Sequence, residues 1–172
     1  MNRRPWFEWV SLGARLVLGG VMLVAGALKV TDPETAAQAV RAYEVLPASL
    51  AAPVGWGLPF LEIAIGLLLI VGFGVRPAAV AAGVFMVAFI AAVASAWARG
   101  LAIDCGCFGG GGPVDPDDTG YGLALLRDLA FLTAAVYLVV RPRTLFSLDG
   151  RGDRAAAHDH DRRAPADATK EH

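Results

Sequence analysis

The chain has 172 residues, of which 56 % are hydrophobic and 18 % charged, with a net charge of −1 and a mean hydropathy of +0.53. That balance excludes an ordinary soluble domain, and the near-zero charge without a basic stripe excludes nucleic acid as a partner. Two cysteines cannot supply a disulfide framework, so packing must hold the fold; the apolar residues fall in runs suited to a lipid bilayer.

Arg3-Arg4 lead into a first apolar run from Val10 to Val30, broken by Arg15. The run has the outline of a signal peptide, with Ala25-Gly26-Ala27 where a cleavage site would fall. Arg15 interrupts it and three further runs follow, so an uncleaved first helix is expected. Arg15 itself, near one end of the run, is expected to snorkel to the cytoplasm. A second run covers Val54 to Gly74 and contains Glu62. A third, Ala78 to Ala98, carries no charge, and a fourth, Tyr121 to Val140, holds Arg127-Asp128 near its start.

Each run approaches the ~20 residues that cross ~30 Å of hydrocarbon as a helix. Abundant Ala and Leu without period-2 alternation argue against strands. Gly13, Gly19, Gly20 and Gly26, with Ala81, Ala82, Ala88, Ala91 and Ala92, supply the small side chains that let helices approach closely in lipid. Trp6, Trp9, Trp56 and Trp97 fall near run ends and suit the membrane interface. The expected fold class is all-α, an integral membrane four-helix bundle with up-down connections. It comprises a short N-terminus (1–9), a membrane domain (10–148) and a disordered polar tail (149–172) of Ala, Asp, Arg and His. His158 and His160 look like a metal pair but read as part of that solvated tail.

Basic residues set the orientation. Arg3, Arg4, Arg76, Arg141, Arg143, Arg151 and Arg154 lie on one side of the four runs. Asp32, Glu34, Glu44, Asp104, Asp115, Asp117 and Asp118 lie in the other loops. The positive-inside rule then places both termini in the cytoplasm of a multi-pass protein of the cell (inner or plasma) membrane. The loop after the third run is placed outside, where disulfides persist.

That loop contains Cys105-Gly106-Cys107, the only cysteines of the chain. Two cysteines at this spacing can close a small strained ring, and Gly106 removes the side chain that would hinder closure. Strained, exposed disulfides exchange readily; the spacing alone leaves open a static local disulfide or an idle pair. Lys29, Glu62, Arg99, Arg127 and Asp128 are expected near the same face as a supporting charged network, since intramembrane charges need partners. In the arrangement expected, Glu62 pairs with Arg127 or Lys29 beneath the loop. Lys29, Arg99 or Arg127 would favour a thiolate, and Asp104 would oppose it. As a set, these charges serve thiolate activation, proton transfer or headgroup binding, or else clamp helices together. No outer-side histidine accompanies the sulfurs as a metal ligand.

Arg15-Leu16 with Gly19, Gly26-Ala27-Leu28-Lys29 and Asp32-Pro33 are followed by Tyr43 with Leu46-Pro47, Pro59 with Glu62, and Arg99-Gly100. Then come Cys105-Gly106-Cys107-Phe108-Gly109 and Arg127-Asp128. In this order, over about residues 10–140, the chain resembles the MauE branch of the DoxX-like superfamily. It departs from the branch in the run Gly109 to Gly112 and in the long polar tail. The resemblance implies a four-helix membrane protein acting in thiol–disulfide metabolism outside the cytoplasm, beside a thioredoxin-like partner. The branch is linked to maturation of a disulfide-rich methylamine dehydrogenase, although the name marks a branch and not a substrate. A thiosulfate:quinone oxidoreductase subunit in the wider superfamily suggests a membrane quinone as electron acceptor, here expected near Glu62 and Arg127.

Two cysteines on one side exclude a relay through two disulfides and a transmembrane thiol relay. One exchange centre remains: a thioredoxin-like protein or disulfide-containing client exchanges with the Cys105–Cys107 pair, with Cys105 and Cys107 as catalytic residues. The oxidase direction is expected, and the reductase direction, which needs a same-side or membrane-borne electron donor, stays open. The alternative is a non-enzymatic maturation scaffold that docks a redox partner, its cysteines a local staple. A small-solute transporter would need an oligomer, which the sequence leaves open.

Overall fold

The computed structural model of the protein describes residues 6–141. Among them are α1 (Trp6–Val30), α2 (Pro33–Ala42), α3 (Ala48–Val71), α4 (Val75–Ala98) and α5 (Tyr121–Val140). A two-residue strand pair, β1 (Ile103–Asp104) with β2 (Gly112–Pro113), is antiparallel and closes a hairpin around the cysteines. The described residues are all-α apart from this hairpin, and four of their helices are long and apolar enough to cross a membrane. The expected tail, with His158 and His160, lies outside the described residues.

Close packing in lipid demands small residues, and α1 and α3 supply them reciprocally. A Cβ on Gly66 of α3 would lie 2.8 Å from the Gly19 carbonyl oxygen and the Leu23 nitrogen of α1. One on Gly26 would lie 2.6 Å from the Pro59 oxygen. Gly13 and Gly20 meet open space instead, so only half of the expected glycine stripe is a contact. Leu18, Met22, Ile65, Leu69, Ala82 and Leu138 form the main core between the helices. Ala88 and Ala91 face outward.

The ends of the bundle differ. At one, Ser11 Oγ donates to Tyr137 Oη (3.3 Å), Tyr137 Oη donates to the Phe7 carbonyl (3.5 Å), and Arg141 lies 4.9 Å from the Phe7 ring. The start of α1 and the end of α5 therefore meet there. At the opposite end α2 and the hairpin cap the bundle.

Several expectations need correction. The first helix begins at Trp6 rather than Val10, the second long helix at Ala48 rather than Val54 and the third at Val75. Trp56 consequently stands two turns inside α3 and not at its end. Arg15 does not snorkel: it is 2 % exposed. Its register explains this, because Ser11, Arg15, Leu18 and Met22 form one buried stripe at helical spacing. The acidic loop after α1 contains a helix, α2, started by Asp32, whose carboxylate accepts from the Thr35 N–H (3.1 Å), and by Pro33 in the first turn.

Gly66→Ala is expected to cost about 1–3 kcal/mol, because backbone atoms on α1 block the added methyl. Gly20→Ala should be near neutral. Thermal unfolding of the two variants in the same detergent checks the contrast.

Candidate functional site

The site is assembled from the bottom of the hairpin downward. Tyr121, the first residue of α5, donates its hydroxyl to the Leu101 carbonyl (2.7 Å) and accepts the Ile103 N–H (3.2 Å), which fixes the start of β1. Tyr43, just after α2, donates to the Cys105 carbonyl (2.9 Å). Between the sulfurs Gly106 has φ +66°, and a Cβ there would sit 2.9 Å from the Ala39 methyl. Both backbone sign and crowding demand glycine. The glycine run after the cysteines has a similar role: Gly111, at φ +125°, passes so close to Ala39 of α2 that no side chain fits.

Cys105 is half-buried and Cys107 buried, and both are free thiols. Arg127 Nη2 donates to Cys107 Sγ at 2.8 Å. The same guanidinium donates twice to Asp128 Oδ1 (3.0 and 2.9 Å) and lies 5.0 Å from the Phe108 ring. Beneath, Lys29 Nζ donates to Glu62 Oε1 at 2.6 Å, with both side chains under a tenth exposed. Glu62 is paired with Lys29, one of the two expected partners, and Arg127 serves Cys107 and Asp128.

Arg99 touches neither sulfur. It donates to the Tyr43 carbonyl and lies 3.7 Å from Glu44, so it pins the end of α2 from which Tyr43 reaches the cysteine loop. Expected beside the sulfurs as a charge that would favour a thiolate, it stands against Tyr43 and Glu44 instead. Tyr43 and Tyr121, which hold the cysteine loop, are residues of the candidate site that charge-based reading missed. The signal that could have found them is a lone tyrosine at each helix junction flanking the cysteines.

The sulfurs sit in unequal surroundings. A hydrogen bond from Cys107 and the Arg127 charge lower the Cys105 thiol to about 6, against burial and Asp104. Cys107, whose S–H is held in a hydrogen bond by Cys105 and which is buried, is pushed up, with the Arg127 charge opposing the shift. Cys105 lines an apolar cavity of about 270 Å³ between α2, α3 and α4, together with Ala39, Tyr43, Leu58, Phe89 and Lys29. Cys107 instead lines a chamber of about 30 Å³ with Lys29, Glu62, Arg127 and Asp128.

This fold and site define a class: a four-span membrane protein carrying a thiol pair at one end of its bundle, backed by the Lys29–Glu62 and Arg127–Asp128 ion pairs. The family model for methylamine utilisation protein MauE matches residues 7–141, and the chain belongs to that family. It is 37 % identical over 109 residues to methylamine utilization protein MauE of Paracoccus denitrificans, covering 63 % of this chain and 57 % of that one. The chain thus aligns with little more than half the length of this relative. No solved structure matches.

Alkylation of Cys105 should rise about tenfold per pH unit below 6 and level off above it, because only the thiolate reacts. Arg127→Met removes a charge that favours the thiolate, so the midpoint should move to higher pH. Rates of iodoacetamide labelling across pH 4–9 check both the midpoint and the direction.

Proposed function

We propose that this protein is a membrane thiol–disulfide oxidoreductase whose exchange centre is Cys105–Cys107, working on the extracytoplasmic face. The observation that carries the reading is the Arg127 guanidinium 2.8 Å from Cys107 Sγ. A cation at that distance stabilises sulfur as a thiolate, which is the form in which a thiol leaves a disulfide. The acidic residues at the thiol end and Arg76 and Arg141 at the other support the orientation.

In the oxidised centre a thiolate of a thioredoxin-like partner attacks Cys105, the more accessible sulfur. A bond forms between partner and Cys105, and the Cys105–Cys107 bond breaks with its electron pair on Cys107 beside Arg127. The partner's second thiolate then attacks its own mixed-disulfide sulfur, releasing Cys105. Two electrons and two protons have moved from the partner dithiol to the Cys105–Cys107 pair, and the partner leaves as a disulfide. The family description names methylamine utilisation, and this exchange is proposed as the membrane-bound part of that work.

A quinone, when bound, supplies a two-electron, two-proton acceptor for the reduced pair. The expected position between Glu62 and Arg127 does not fit a ring, since their shared chamber of about 30 Å³ is far below the size of small-molecule sites. The apolar cavity of about 270 Å³ does fit a headgroup, and Tyr43, Phe89 and Lys29 would hold it alongside Cys105.

Cys107→Ser leaves Cys105 without its internal partner and should trap a mixed disulfide with an extracytoplasmic protein, seen as a reductant-sensitive band. The double Ser variant should fail to complement a deletion strain. A variant lacking both thiols that still complements would support the scaffold reading and overturn this one. An impermeant alkylating reagent should label Cys105 in intact cells; labelling only after lysis would overturn the orientation.

A further inference from the structure

Two carboxylates beneath the cysteines are each half-satisfied. Glu62 is 2 % and Asp128 3 % exposed. Glu62 Oε1 takes the Lys29 ammonium and Asp128 Oδ1 takes Arg127, whereas Glu62 Oε2 and Asp128 Oδ2 are buried without a protein partner. A buried carboxylate oxygen left dry is costly. Both residues line the same chamber of about 30 Å³, and so does Cys107. A chamber needs roughly 10–15 Å³ per water and two to four polar neighbours for each. This one has room for about two waters and neighbours for both. Lys29 and Arg127 border it too, and its remaining walls, Val21 of α1, Phe85, Met86 and Phe89 of α4, Phe108 of the hairpin and Phe131 of α5, carry no titratable group.

We infer that the chamber is a water-filled proton conduit joining Cys107 to Glu62, and that Glu62 takes the Cys107 proton when the internal disulfide closes. The inference rests on the exchange reading above and deepens it. In closure, Cys105 is already joined to an oxidant's sulfur. Cys107 loses its proton to chamber water and on to Glu62, its sulfur attacks Cys105, and the oxidant's thiolate departs with the electron pair. The reverse reaction returns the same proton to Cys107.

Glu62 rather than Asp128 is the acceptor for a chemical reason. Asp128 is held twice by a guanidinium, which never gives up its charge. Glu62 meets a single ammonium, a group able to share or release a proton, so the Lys29–Glu62 pair can absorb one more. Asp128 orients the water. It is a positioning residue.

The test uses the full chain in lipid nanodiscs with 5,5′-dithiobis(2-nitrobenzoate). Attack by Cys105 releases one coloured thiolate, and attack by Cys107 on the resulting mixed disulfide releases a second. For Glu62→Gln the second phase should slow about 100-fold, the low end for loss of a general base, while the first stays within about twofold. Asp128→Asn should slow the second phase less. In the wild type, deuterium oxide should retard the second phase alone. A second phase unaffected by Glu62→Gln, equal slowing of both phases, or no isotope effect on the second phase would each overturn the conduit. A wild type that releases both thiolates without forming the Cys105–Cys107 bond, seen by mass spectrometry, would overturn the exchange reading itself.

Discussion

The whole arrangement depends on one guanidinium. Arg127 stands about two turns into α5, where a lone cation facing lipid or core would be expensive. It is tolerated because its donors are taken by Asp128 on one side and by Cys107 sulfur on the other, with the Phe108 ring across its face. A charge at this depth must find partners. Here one of the partners is a thiol, and through that contact the bundle acts on the chemistry of a loop outside it. Arg127 is only partly buried and Asp128 buried, and the contacts of the one guanidinium with both sulfur and carboxylate tie the loop to the helix head.

The rest of the fold serves to bring the hairpin down onto this arginine. The close α1–α3 contact at Gly19, Gly26 and Gly66 places Lys29 opposite Glu62 and gives the bundle end a second buried pair. α2 then lies across that end with Ala36, Ala37 and Ala39 inward. Ala39 presses on Gly106 and Gly111, and Tyr43 holds the Cys105 carbonyl. A cysteine loop that merely hung from two helices would sample many geometries. This one is gripped from α2, α4 and α5, leaving Cys105 partly accessible and Cys107 enclosed.

Much of this was legible from the residues. Runs of about 20 apolar residues give the four long helices, because nothing else satisfies backbone groups in hydrocarbon. The cysteine spacing and the intramembrane charges point to the site. Pairing was harder to read: Glu62 could meet Lys29 or Arg127 by depth alone, and only the helix rotation decides for Lys29. Arg15 shows the same limit, since a charge near a helix end can snorkel or turn inward, and the stripe it shares with Ser11, Leu18 and Met22 turns it inward. Helix α2 was hidden because its composition is that of a polar loop, yet Asp32-Pro33-Glu34 carries an N-terminal signature. In the glycine run that looked like a departure from the family, Gly111 carries the backbone past Ala39.

The location of the pair at the bundle end, rather than in open solvent or at mid-membrane, follows from opposing electrostatic demands. Deep in hydrocarbon, desolvation would hold both sulfurs as thiols and no partner protein would reach them. In bulk water the field of Arg127 would be screened within about 10 Å and the sulfurs would behave as ordinary cysteines. Where the hairpin meets the helix ends the effective dielectric is low enough for a 2.8 Å contact to matter. The Cys105 side still remains within reach from outside the bundle. The two sulfurs divide that boundary between them: Cys105 borders an apolar cavity, and Cys107 borders a small chamber that Lys29, Glu62, Arg127 and Asp128 also line. The exchange proposed for this pair needs that inequality, one sulfur to be attacked and one to leave, and a symmetric, equally solvated pair would lack a preferred direction of bond breaking.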